Sequence, residues 1–216
     1  MSRTRLVCWI ALVAAVSALE YSARFSGAAT KNTRDEVYSY SAFANGLIFY
    51  GLIFGVVLAI AFDRTDLFSL HRPARRATAL AIGVLIATYL CELVVVALPI
   101  RDPSKEQGLT PTHWEPSHAG AFAANVVLFT VVAPVIEELT FRGVGQSLLR
   151  FTGRWPSILL VGIAFGLWHG LVEALLVLIP FGVGLAYLRD RTRSVVPGMV
   201  VHALFNGAAL AVAVLT

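Results

Sequence analysis

The stretch AFANGLIFYGLIFGVVLAIAF, Ala42 to Phe62, runs for 21 residues without a charged side chain. One helix of about 20 mostly apolar residues crosses a bilayer. Comparable apolar runs occupy 6–25, 77–99, 119–139, 155–173, 174–188 and 195–215, so seven spans are predicted. The fifth and sixth are joined with almost no loop, and a tight helical hairpin is expected around Leu171 to Ala174. No run alternates apolar and polar residues, and all are longer than barrel strands. The fold class is therefore all-α, a polytopic membrane helix bundle.

Composition agrees. Of 216 residues, 57% are hydrophobic and 14% charged, and the mean hydropathy is +0.75. Soluble domains carry about 25% charged residues, and a single core in a chain of this length cannot bury such an apolar excess. Disorder is excluded by the apolar and aromatic content. A secreted disulfide scaffold is excluded by having only two cysteines, Cys8 and Cys91, each inside an apolar run. The net charge of +4 does not point to nucleic acid, because the basic residues sit in short clusters between spans.

Those clusters carry the topology. With the N-terminus cytoplasmic, the cytoplasmic side holds 12 of the 17 basic residues, at Arg3 and Arg5, Arg64 to Arg76, Arg142 to Arg154 and Arg189 to Arg193. Arg24, Lys31, Arg34, Arg101 and Lys105 fall outside. The bias favours this orientation. The run from Leu6 follows a basic start, as in a signal peptide, but its continuation to Phe25 suits a retained span. No repeat or linker divides the chain, which reads as one transmembrane domain over 1–216. Its Ala/Val/Arg-rich composition and small size point to a bacterial inner membrane.

Ionisable groups at bilayer depth are costly and mark function. Glu137 and Glu138 lie in VVAPVIEELTFRG, residues 131–143. Glu138 and Arg142 are four apart on one helix face and can pair; Glu137 points about 100° away with no partner in its own segment. An unpaired carboxylate in apolar surroundings suits a general base, while the alternative is a helix end where both glutamates serve Arg142. His169 follows Phe165 by four, beside a strip formed by Gly162, Gly166 and Gly170. Such a strip lets membrane helices approach closely, so His169 is placed near a helix contact, either catalytic or simply buried. His202 and Asn206 share a face and can present donors to one point, or tie helices together. Counted from the basic end of each span, the three groups come to similar depths. Glu20, Glu92 and Glu173 carry no assigned role.

Glu-Glu-x-x-x-Arg (137, 138, 142), Phe-x-x-x-His (165, 169) and His-x-x-x-Asn (202, 206), in this order on successive spans, resemble the CPBP, or ABI, intramembrane proteases. That family includes CAAX prenyl endopeptidases and bacteriocin-processing or self-immunity proteins. The resemblance covers about 119–210, which would be the catalytic four-helix core, with 6–99 as additional N-terminal helices. It implies hydrolysis of a peptide bond of a membrane-anchored or lipidated polypeptide. Glu137 would activate water with help from His169, while His202 and Asn206 would stabilise the oxyanion; Glu138, Arg142 and Phe165 would support the site. Glu137, His169 and His202 could hold zinc, but no His-Glu-x-x-His occurs and the family's glutamate-protease description needs no metal, so none is expected. The partners expected are membrane lipid and a membrane-anchored peptide or protein.

Other protease chemistries fail on inspection. The five aspartates lie in loops or at span ends, and no Gly-x-Ser-x-Gly is present. Two competing readings are a transporter relaying protons through its buried glutamates and histidines, and a non-catalytic binding or immunity protein on the same fold. No inverted repeat supports the transporter.

Overall fold

The computed structural model describes residues 3–26, 36–73, 75–98 and 114–215, and among these the chain forms helices and no strand. We number them α1 (Arg3–Phe25), α2 (Tyr40–Ile60), α3 (Ala77–Val96), α4 (Pro116–Thr152), α5 (Arg154–Trp168), α6 (Leu175–Thr192) and α7 (Val196–Leu215). Helices α1 to α4 are each long and apolar enough to cross a membrane.

The main departure from the expected spans is α4. It does not end near Leu139 but continues as one helical rod of 37 residues, with π-helical turns at Leu128–Val132 and Leu139–Gly145. The first π turn has a readable cause. Ala133 donates its N–H to the Leu128 carbonyl, five residues back. The next bond in that register would run from residue 134 to Phe129, but Pro134 has no N–H to give. The Phe129 carbonyl is satisfied instead by Asn206 Nδ2 of α7, at 2.9 Å. In the second π turn the Thr140 carbonyl accepts from Trp9 Nε1 of α1 at 2.9 Å. Both turns are thus held from outside, and the Glu137–Glu138 pair sits between them.

The α5–α6 hairpin forms, but through six connecting residues, 169–174, rather than almost none, because Gly170 stops α5 early. A Cβ on Gly162 would stand 2.7 Å from the Val183 backbone nitrogen and 3.0 Å from its Cα. Gly166 faces Ile179 in the same way, so these two glycines are the close-approach strip. Gly170 is different: with φ +63° it ends α5 in a left-handed turn against Glu20 and Tyr21 of α1. Gly162→Ala is expected to cost about 1–3 kcal/mol, because the backbone of α6 must move. Gly55→Ala, where nothing lies within 4 Å, is expected to be neutral or to stabilise by up to about 1 kcal/mol. Thermal midpoints of the two variants in one detergent check both.

One apolar core runs through α1, α2, α4, α5, α6 and α7 and includes Trp9, Val57, Phe141, Phe165, Phe181 and Val201. The first helix is therefore a packed member of the bundle. Across α4 and α6, Arg142 Nη2 donates to the Gly182 carbonyl and Gln146 Nε2 to that of Ala186, each at 3.0 Å. The basic ends also come together: Arg5 pairs with Asp63, and Arg154 with Asp190. Lys31, Arg34, Arg101 and Lys105 lie outside the described residues.

Candidate active site

Glu137 is buried in α4 at 3% exposure. Its Oε1 accepts from the Tyr50 hydroxyl of α2 at 2.7 Å. Its Oε2 is buried and has no hydrogen-bond partner among the described residues. That oxygen faces two imidazoles, with His202 Nε2 at 3.7 Å and His169 Nε2 at 3.9 Å. These separations are too wide for direct hydrogen bonds. The three groups are level, as their depths along the spans suggested, although they come from α4, the α5–α6 turn and α7.

The far side of each ring defines what its Nε2 can do. His169 Nδ1 lies 2.8 Å from the Phe165 carbonyl, which can only accept, so Nδ1 carries the hydrogen. The neutral ring then turns a lone pair from Nε2 toward Glu137. His202 Nδ1 stands 3.4 Å from Glu138 Oε1, a carboxylate oxygen that also accepts from Arg142 Nη1 at 2.7 Å. A hydrogen on Nδ1 satisfies that contact, and the carboxylate stabilises the ring when both nitrogens are protonated.

Glu138 and Arg142 are fully buried and form the ion pair expected from their spacing. Phe165 joins the parts of the site. Its ring centroid is 4.8 Å from that of His169 and 5.5 Å from that of His202, and the Arg142 guanidinium carbon lies 4.2 Å from it. Glu137 and His202 are almost fully enclosed, whereas the His169 side chain is 18% exposed. The accessible edge of the site is therefore at His169.

Two placements differ from expectation. His169 is not inside a helix but caps α5, because Gly170 stops the helix one residue later. From α1, Tyr21 donates to the Leu171 carbonyl and Arg24 to that of Gly170, so the turn bearing His169 is fastened at both residues. Asn206 does not aim at the same point as His202 with its bonded hydrogen, since that hydrogen is committed to Phe129. The amide still carries a second hydrogen.

Tyr50 was not among the residues singled out from the sequence. The available signal was that it is the one hydroxyl-bearing residue in the run Ala42 to Phe62. Its partner Glu137 is 87 positions away, and no local spacing connects the two. Tyr50→Phe keeps the ring and removes the donor. It is expected to lower the rate of any reaction that depends on Glu137 about 10- to 100-fold through loss of carboxylate orientation, with little change in thermal midpoint, measured on the purified variant.

The donor types of Glu137, His169 and His202 are those of a zinc site. However, donors bound to one zinc at 2.0–2.2 Å stand about 3.4 Å apart. The separations of 3.7 and 3.9 Å are wider, and no metal-binding arrangement of three or more His, Cys, Asp or Glu occurs among the described residues.

Sequence comparison covers this same part of the chain. Residues 119–208 match the family described as type II CAAX prenyl endopeptidase Rce1-like. Over these residues the chain is similar to the Rce1-like family. The match takes in Glu137, His169, His202 and Asn206 and leaves α1 to α3 outside it. No curated protein and no solved structure matches. The apolar helices and this similarity support a multi-pass membrane protein, and the similarity supports an intramembrane endopeptidase in general.

Proposed function

We propose that the chain hydrolyses a peptide bond of a membrane-anchored or lipidated polypeptide with a water activated by Glu137. The observation that carries this reading is the unpartnered Oε2 of Glu137 facing two imidazole nitrogens. A water held there gives one proton to Oε2 and presents its oxygen to a peptide carbonyl that enters beside His169. As the C–O bond forms, the carbonyl becomes an oxyanion. His202 donates to it from Nε2, and the second amide hydrogen of Asn206 is the further donor. The proton on Glu137 then passes by way of His169 Nε2 to the departing amine, and the C–N bond breaks. Tyr50 keeps the carboxylate oriented throughout. No metal takes part.

The family description supports a substrate carrying a prenyl group near its C-terminus. An inner membrane of a bacterium is the proposed location, where other lipid anchors would present the same chemistry. The test uses purified chain and a fluorogenic farnesylated CAAX peptide, with the unprenylated peptide alongside. Cleavage of the farnesylated peptide, unchanged by 1,10-phenanthroline, is expected. Loss of cleavage with the chelator and its return with zinc would overturn the metal-free step; equal cleavage of both peptides would overturn the lipid requirement.

A further inference from the structure

At the end of the bundle where α4 gives way to α5, and α6 to α7, the sequence places Arg150 and Arg154 in one stretch and Arg189, Arg191 and Arg193 in another. The fold wraps both stretches around one cavity of about 490 Å³, with Ser69 and His71 of the α2–α3 connection on its wall. Five guanidinium groups meet a single carboxylate there, Asp190, which accepts from Arg154 Nε at 2.7 Å. Arg150, Arg191 and Arg193 are exposed at the rim and Arg189 is buried.

Arg189 is the informative member. Its Nη2 donates to Ser69 Oγ at 2.7 Å and to Ser147 Oγ at 2.6 Å. Its Nε is buried and has no partner among the described residues. A guanidinium held by hydroxyls keeps its whole charge, and burying that charge with no carboxylate in direct contact is expensive. Among the described residues, the non-glycine positions with positive φ are Ser69 at 53° and Arg193 at 58°. Both line this cavity, and such conformations gather where a ligand is held.

Its surroundings indicate where the ligand comes from. Trp155 stacks on Tyr187 with centroids 6.1 Å apart, and the guanidinium carbons of Arg154 and Arg191 lie 5.9 and 6.0 Å from the Tyr187 ring. Trp155 and Phe151 are exposed. An exposed tryptophan and a half-buried tyrosine among arginines are the composition of the headgroup layer.

We propose that this cavity binds the phosphate headgroup of an anionic phospholipid. Arg189 forms the floor of the site and the rim arginines close on the phosphate oxygens, a geometry that suits guanidinium forks. The site is separate from Glu137 and rests on none of the hydrolytic reading.

The test is native mass spectrometry of the purified chain in micelles containing dioleoylphosphatidylglycerol or dioleoylphosphatidylcholine, counting lipid retained per chain. About tenfold preference for phosphatidylglycerol is expected. Arg150→Gln/Arg191→Gln, both at the exposed rim, should bring the preference close to one while the thermal midpoint holds. Arg75→Gln/Arg76→Gln removes as much charge outside the cavity and should leave the preference within about twofold. Equal loss in both double variants, or no preference in the parent, overturns the site. Inorganic phosphate at millimolar concentration should displace the lipid. Tight phosphate binding that phosphatidylglycerol does not compete for would assign the site to a free phosphate and overturn the lipid.

Discussion

Glu137→Gln is expected to lower peptide hydrolysis at least about 1,000-fold, near the upper range for loss of a general base, while the protein still folds. The amide matches the carboxylate in size, so the Tyr50 hydroxyl keeps an acceptor in place of Oε1. What disappears is the acceptor at Oε2, which no described residue satisfies, and with it the capacity to take a proton from water. Glu137→Asp keeps the charge but withdraws it by one methylene, away from His202 and His169, which already stand 3.7 and 3.9 Å off. A displacement of about 1 Å costs on the order of 100-fold, so the aspartate variant should retain a small measurable rate. The pair is read as kcat on one substrate, with thermal midpoints recorded to show that both variants are folded.

The second large effect is on stability. Arg142 and Glu138 are both fully buried, and removing one partner leaves the other charge without compensation. Arg142→Met is expected to destabilise by about 3–5 kcal/mol, lowering the thermal midpoint by on the order of 10 °C. The loss includes the hydrogen bond to the Gly182 carbonyl and the contact with the Phe165 ring. Replacing both, as Glu138→Leu/Arg142→Met, should recover most of the midpoint, since well-packed apolar pairs often equal a buried ion pair. Activity should not recover, because His202 Nδ1 has then lost the carboxylate that faces it. Restored stability with restored activity would remove Glu138 from the account of His202.

The site was readable where chemistry and helical spacing coincide. Glu138 and Arg142, four apart, pair as their spacing demands, and Phe165 and His169 share a face. The level depth of Glu137, His169 and His202 also followed from counting along the spans. What local periodicity does not encode is a departure from the α-helix. The π turn at Leu128–Val132 depends on Pro134 lacking a donor and on Asn206 supplying one from a helix far along the chain. For that reason Asn206 looked like a partner of His202 when its first bond is to α4. Tyr50 escaped for a related cause: in an apolar run it reads as one more aromatic, and only the packing of α2 on α4 gives its hydroxyl a carboxylate. The glycine strip divided similarly, with Gly162 and Gly166 on α6 and Gly170 turning the chain against α1.

The central claim is that a peptide bond is cut by this chain and that Glu137 is the residue that makes the cut possible. N-terminal profiling of membrane proteins from host cells producing either the wild-type chain or Glu137→Gln at equal levels, with the farnesylated peptide reporter expressed in both, tests it most directly. New N-termini on the reporter or on host membrane proteins in the wild-type cells, absent with Glu137→Gln, are the predicted result. Identical profiles in the two, with the reporter intact in both, would contradict the account and favour a membrane protein that binds its peptide without cutting it.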